Sequence, residues 1–276
     1  MTILAVEHTD ILSAQVGGVL TLTLNRPAQR NAMTTAMETR FAGHLRAAEA
    51  DPSVKAIVIT GSGDGFCAGA DLTALGDVAV TAQDPAADPQ AYTPPALKDG
   101  PGFALTVQKP LIAAINGGCV GLGFSLALYC DVRFAASGAK IATAFARRGL
   151  IAEYATAWLL PRIVGRAHAL DLLLSGRTVL AEEALSMGLV QRVLPAAELL
   201  AAAQAYAHEL ATHSSPTSMA IIKGQVNRDG HRDLDAAMAE SLSLMVASFG
   251  RPDLTEGVAA HVQRRTPNFA PWLPAS

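Results

Sequence analysis

Between Val19 and Leu24 the chain reads VLTLTL, leucines alternating with valine or threonine, which is the period of two of a half-buried strand. Asn25-Arg26-Pro27 ends it. The spacing then lengthens: Thr35-x-x-Glu38 is a capping-box signature for a helix running to about Ala50. Val54 to Thr60, Leu111 to Ile115 and Val132 to Ala135 read as buried strands, each followed by glycine-rich turns and apolar helical stretches. Strands alternating with helices through the first two thirds predict an α/β fold of repeated ββα or βαβ units. From about Ala181 onward the pattern is helical apart from LVQRVL at Leu189 to Leu194. It includes the alanine-rich Ala196 to Thr212 and an apolar stripe in Leu234 to Phe249. A core over 1–195 followed by a helical region over 196–276 is the expected division.

Two segments break the pattern. Leu111 to Cys130 runs twenty residues without a charge and contains a GxxxG from Gly117 to Gly121, the length of a membrane span. Pro110 at its start and the turn signal Asn116-Gly117-Gly118 instead predict a buried strand, a turn and a buried helix. Gly76 to Gly102 holds five prolines, several aspartates and little apolar periodicity, and reads as a long surface loop.

Half of the 276 residues are hydrophobic, enough for a sizeable core. A net charge of -3 and a pI near 6.2 give no reason to expect nucleic acid as a partner. Any anionic ligand must be met by local charges. Cys67, Cys119 and Cys130 are odd in number and lack CxxC spacing, which argues against a disulfide framework and fits a reducing compartment. The N-terminus MTILAVEHTD shows no secretory signal, so a cytoplasmic protein without a membrane anchor is expected.

Three motifs tempt and fail. HELATH, His208 to His213, has histidines five apart, about 140° around a helix, so they cannot share a metal on one face. GSGDG, Gly61 to Gly65, lacks the third glycine of a dinucleotide fingerprint because Phe66 stands there, and no GK[ST] is present. Gly123-Phe124-Ser125-Leu126-Ala127 is incomplete as a GxSxG nucleophile elbow, and His168 or His213 would be arbitrary partners.

One carboxylate stands apart. From Val132 to Leu170 Glu153 is the sole Asp or Glu, flanked by Ile151, Ala152, Tyr154 and Ala155. Carboxylates are seldom placed among apolar neighbours without a partner or a task. Arg147, Arg148 or Arg162 could pair with it as a structural salt bridge.

Several motifs in register carry a resemblance: LNRP-x3-NAM at Leu24 to Met33, GFCAGADL at Gly65 to Leu72, and Ile115-Asn116-Gly117 through Gly121-Leu122-Gly123 to Cys130-Asp131. RIVG at Arg162 to Gly165, SGR at Ser175 to Arg177, the GLV ending at Val190 and RRTPNF at Arg264 to Phe269 extend it. Over nearly its whole length the chain resembles the enoyl-CoA hydratase/isomerase family, the crotonase superfamily. The resemblance implies a spiral of ββα units with a helical C-terminal trimerisation region, assembled as a trimer or a dimer of trimers. It also implies a site for acyl-CoA thioesters, with coenzyme A part of the substrate and no separate cofactor or metal.

By the same resemblance the N–H groups of Ala70 and Leu122 form an oxyanion hole, with Gly69, Gly121 and Gly123 letting backbone approach the ligand. Coenzyme A should lie along the loop holding Ala32 and along Ala68, Gly69, Asp71 and Leu72. Arg26, Arg30 and Arg264, the last from a neighbouring subunit, are candidate phosphate partners, and Tyr154 and Trp158 shape the acyl end. The two hydratase glutamates fall at Ser125 and Phe145, which cannot act as general acids. Glu153 falls where isomerases and aromatic acyl-CoA dehalogenases of the family carry their single carboxylate. An isomerase that moves a 3-enoyl double bond to the 2-position is expected. A hydratase, a hydrolase or dehalogenase-like enzyme, and a non-catalytic acyl-CoA binder are the alternatives.

Overall fold

The computed structural model describes residues 10–71 and 99–274. Strands β1 (Ile11–Val16) and β2 (Val19–Leu24) form an antiparallel hairpin across Gly17, whose φ of 57° suits a tight turn. β1 lay outside the expected strands because it is a sheet edge that buries Ile11 alone and so shows no alternation. β2 continues into parallel β3 (Ala56–Gly61), β5 (Leu111–Ile115), β7 (Val132–Ala136) and β10 (Arg192–Leu194). β3 and β5 are covered on both faces, which explains their unbroken apolar runs.

A second sheet orders β4 (Gly65–Cys67), β6 (Gly118–Val120), β8 (Lys140–Ala142) and β9 (Thr178–Leu180). β3, β5 and β7 of the first sheet are each followed by a three-residue strand of the second, β4, β6 and β8, and β5, β6 and helix α2 (Leu122–Tyr129) form one ββα unit. Residues 111–130 are thus a strand, a turn with a short strand, and a buried helix. Among the described residues no helix is long and apolar enough to cross a membrane. The non-helical stretch at Leu189 to Leu194 ends in the strand Arg192–Leu194, with Leu189 and Val190 buried ahead of it.

Helix α1 spans Thr35–Ala50, but its N-cap is Thr34, whose hydroxyl accepts from the Met37 N–H at 3.2 Å. The cap therefore lies one residue earlier than expected, the capping box does not form because Met37 stands at its third position, and Glu38 is buried. α3 (Thr156–Ser175) bends at Gly165 (φ 77°), and α4 (Ala181–Ser186) follows β9. α5 (Ala196–His213) lays Leu199, Ala203, Ala207 and Ala211 on the large sheet, and the small alanines permit close approach. The C-terminal helical region thus begins with a helix that belongs to the core packing.

α6 (Pro216–Asp229), α7 (Leu234–Phe249) and α8 (Pro252–Gln263) follow. α7 buries no residue and exposes Leu234, Met238, Leu242, Val246 and Phe249 along one stripe. Of the expected loop at Gly76 to Gly102, positions up to 98 lie outside the described residues. Pro101–Thr106 forms a 3-10 helix whose Pro101, Gly102 and Ala104 are buried, packed on α1. The three cysteines are free and buried, and burial pushes the Cys67 and Cys130 thiols up to about 12. His208 and His213 are exposed, and among the described residues no group of side chains is arranged to hold a metal.

Candidate active site

Two backbone segments meet beyond the short strands. After β4, residues 68–71 run beside the loop that follows β2: Ala68 N–H donates to Arg30 O (3.0 Å), Met33 N–H to Gly69 O (2.9 Å) and Asp71 N–H to Met33 O (2.8 Å). Met33 and Ala70 thereby form a parallel bridge. In such a bridge Met33 bonds the residues on either side of Ala70, so the N–H of Ala70 points away from the bridge. Among the described residues it enters no backbone hydrogen bond.

Leu122 opens α2 after Gly121 (φ 57°, ψ -120°). Its N–H belongs to the first turn, where no intrahelical acceptor exists and the helix dipole presents its positive end. Glycines bring the segments together. A Cβ on Gly69 (φ 108°) would lie 3.1 Å from Val120 O and 3.6 Å from Leu122 N. One on Gly123 would lie 2.2 Å from Cys67 O and 2.7 Å from Cys67 Cβ. Gly123 therefore lets helix α2 seat against β4, a packing role and not the ligand approach expected of it.

Ala70 and Leu122 line a cavity of about 390 Å³ together with Arg30, Ala32, Ala68, Gly69, Asp71, Gly121, Phe145, Arg148 and Glu153. Leu72 lies outside the described residues. Tyr154 is not on this wall, and Trp158 faces a second cavity with Tyr129.

Glu153 projects from the loop before α3. Among the described residues it makes no ion pair. Arg147 Nε instead donates to Ser175 O (2.8 Å), and Arg162 stacks 3.9 Å over the Trp158 ring. Burial raises the Glu153 pKa above the usual carboxylate value. The following Tyr154 and Ala155 both adopt left-handed φ (53° and 61°), a conformation that non-glycine residues hold only when their surroundings enforce it. Here the Tyr129 hydroxyl donates to Tyr154 O (2.8 Å), the Thr156 N–H donates to Glu153 O (2.9 Å), and Ser125 and Thr156 share a buried hydroxyl hydrogen bond of 2.9 Å. Ser125 is thus a clamp on the Glu153 loop, while Phe145 lends the cavity an aromatic wall.

The arginines differ. Arg26 is half-buried, and its Nη1 donates to Ala32 O (2.6 Å) and Asp71 Oδ2 (2.9 Å), so it braces the two segments from within and is not free for a phosphate. Arg30 is exposed at the cavity rim. Arg264 caps α8, exposed and away from this cavity within one chain.

Two polar residues were not anticipated. Asn31 is fully buried at φ 58°; its amide donates to Gly65 O (2.7 Å) and Ser62 O (2.9 Å), and its Oδ1 accepts from Arg26 N–H (2.9 Å). The NAM motif marked the position but not this stitching role. Glu38 is 5% exposed, and among the described residues its Oε2 has no hydrogen-bond partner. Burial first, and the charge of Glu153 second, push its carboxyl up to about 7.

A cavity lined by Ala70, Leu122 and a partly desolvated carboxylate that makes no ion pair among the described residues offers groups able to stabilise an enolate and move a proton beside it. Known proteins share this arrangement of the chain. The family model for enoyl-CoA hydratase/isomerase matches residues 14–271. A 1,2-epoxyphenylacetyl-CoA isomerase of Escherichia coli (strain K12) is 36% identical, covering 94% of this chain and 97% of that protein. A 2,3-dehydroadipyl-CoA hydratase of the same organism is 34% identical over 95% of this chain and 98% of its own. The crystal structure of an enoyl-CoA hydratase from Polaromonas sp. JS666 superposes with a TM-score of 0.84 at 32% identity, covering 94% of this chain and 99% of that one.

Proposed function

The chain belongs to the enoyl-CoA hydratase/isomerase family, and from that premise we propose that it shifts the double bond of an acyl-CoA from the 3,4 to the 2,3 position. One observation carries the reading. Of the two carboxylates on the cavity wall, Asp71 is engaged by Arg26, whereas Glu153 is partly desolvated and free of ion pairs among the described residues. The thioester oxygen is held by the N–H groups of Ala70 and Leu122, and each such donor stabilises a developing oxyanion by about 3 to 4 kcal/mol. Glu153 removes a proton from C2, the charge spreads onto the held oxygen as a dienolate, and Glu153 returns the proton at C4. A raised proton affinity favours the removal of the C2 proton. Coenzyme A lies along Ala32 and the Ala68–Asp71 segment with Arg30 at its phosphates, and the chemistry calls for no separate cofactor. Incubation with a 3-enoyl-CoA should produce the conjugated 2-enoyl-CoA; an unchanged thioester would overturn the reading.

Hydration needs a second group in the cavity to activate water or deliver a proton, and Ser125 and Phe145 offer none. The kcat/KM for hydration of a short 2-enoyl-CoA is therefore expected to fall at least about tenfold below that for isomerisation of the matched 3-enoyl-CoA. Comparable values would favour the hydratase reading instead.

Assembly is expected too. The apolar stripe of α7 and the exposed Leu254, Val258 and Val262 of α8 are apolar surfaces of the kind that mark an interaction site. A trimer or a dimer of trimers would cover it and could bring Arg264 to a neighbour's coenzyme A. Light scattering at micromolar concentration should give a multiple of three chains, and a monomer mass would refute this.

A further inference from the structure

The reaction as read uses one carboxylate, yet a second one is buried beside it. Glu38 sits on the first turn of α1, immediately after the Met33–Ala70 bridge that shapes the oxyanion segment. It is 5% exposed, and among the described residues its Oε2 is unpartnered, a costly arrangement for an ionised carboxylate and a cheaper one for a neutral carboxylic acid. The groups that face it come from three other elements: Cys67 at the end of β4, Tyr129 at the end of α2, and Glu153 on its loop. None is cationic. On α1 itself Arg40 is engaged with Asp10, and the 3-10 helix packed on α1 carries no titratable side chain. Among the described residues no ion pair reaches Glu38. Tyr129 also holds Tyr154 O, so the surroundings of Glu38 and the strained loop of Glu153 are tied by one hydrogen bond.

We propose that Glu38 is a positioning residue for Glu153: its buried carboxyl holds the proton that the pair retains at neutral pH, and leaves Glu153 as the ionised member of the pair. Two neighbouring carboxyls with unequal burial lose their protons in sequence, the more exposed first. Glu153 therefore ionises at the lower pH and Glu38 near about 7. Once both are charged, repulsion acts on the strained loop, and the transferred proton is held more firmly on Glu153 against its return to C4. Turnover should thus rise as Glu153 ionises and fall as Glu38 does. The inference rests on Glu153 as the base.

The test has two arms. Glutamate Cδ-labelled protein, followed by carbon NMR, should show one carboxyl titrating near about pH 7 that vanishes in Glu38→Gln and titrates at lower pH in Glu153→Gln. In the wild-type enzyme kcat for double-bond migration should fall at least about fivefold between about pH 6.5 and about pH 8.5; Glu38→Gln should abolish that fall and Glu38→Asp should keep it. A Glu38 carboxyl titrating in the ordinary range, a titration indifferent to Glu153→Gln, or an alkaline fall that survives Glu38→Gln would each overturn the proposal. Should Glu38→Gln not fold, the wild-type and Glu153→Gln titrations still decide it. The titration needs no turnover, so loss of coupling is distinguished from failure of Glu153 as the base, which the rate of Glu153→Gln alone reports.

Discussion

Replacing Glu153 by glutamine is expected to lower the rate of double-bond migration by about two to four powers of ten while leaving acyl-CoA affinity in place, the usual worth of a positioned general base. Glutamine keeps the shape and can still accept a hydrogen bond, but it cannot take the C2 proton. The same substitution separates this role from a salt bridge. Were Glu153 an ion-pair partner, its removal would strand a cation and lower the melting temperature. The structure pairs it with no arginine among the described residues, and burial raises its pKa. A carboxyl with a raised folded-state pKa contributes stability below its unfolded value and loses it as pH rises through the folded value. At neutral pH wild-type Glu153 thus carries a desolvation penalty that glutamine lacks, and the melting temperature should hold or rise. Single-turnover rate, acyl-CoA affinity and melting temperature on one preparation check this; a normal rate would move catalysis away from Glu153.

The parts of the fold that were legible are those whose burial is uniform. β3 and β5 are covered on both faces, so their apolar runs announced themselves, and α1 showed a start signal at its N-terminus. The second sheet was invisible because three residues are too few to show a period. β1 escaped because an edge strand that buries one side chain has no pattern to read.

In the site, Ala70, Leu122 and Glu153 were named by the family resemblance, and the fold brings all three to one cavity wall. Partnerships could not be named in advance. Arg26 meets Asp71 across 45 residues, which no local spacing reveals. Glu38 was misassigned for a sharper reason: Thr34 and Thr35 are equally able to cap, and choosing the wrong one moves the helix start by one residue, about 100° of rotation. That rotation separates a glutamate that caps its own helix from one that lies buried near Glu153.

Leu122→Pro tests the oxyanion hole with little disturbance to the helix. Leu122 is the first residue of α2, where proline is well tolerated because the N–H it lacks has no intrahelical acceptor. At most positions that missing N–H is a nuisance; here it is the proposed catalytic donor. Removing one oxyanion donor costs about a hundredfold to a thousandfold in kcat elsewhere, so Leu122→Pro should lose about that much. Proline also deletes a buried side chain, because Leu122 is 2% exposed, and the lost packing alone should destabilise the fold. Leu122→Ala supplies the comparison, since it creates a similar void yet keeps the N–H. If the backbone donor matters, Leu122→Ala should lose stability and retain most of its kcat, while Leu122→Pro loses kcat at similar stability. Equal kcat in the two variants, measured well below both melting temperatures, would mean that the oxygen is held by Ala70 alone or bound elsewhere.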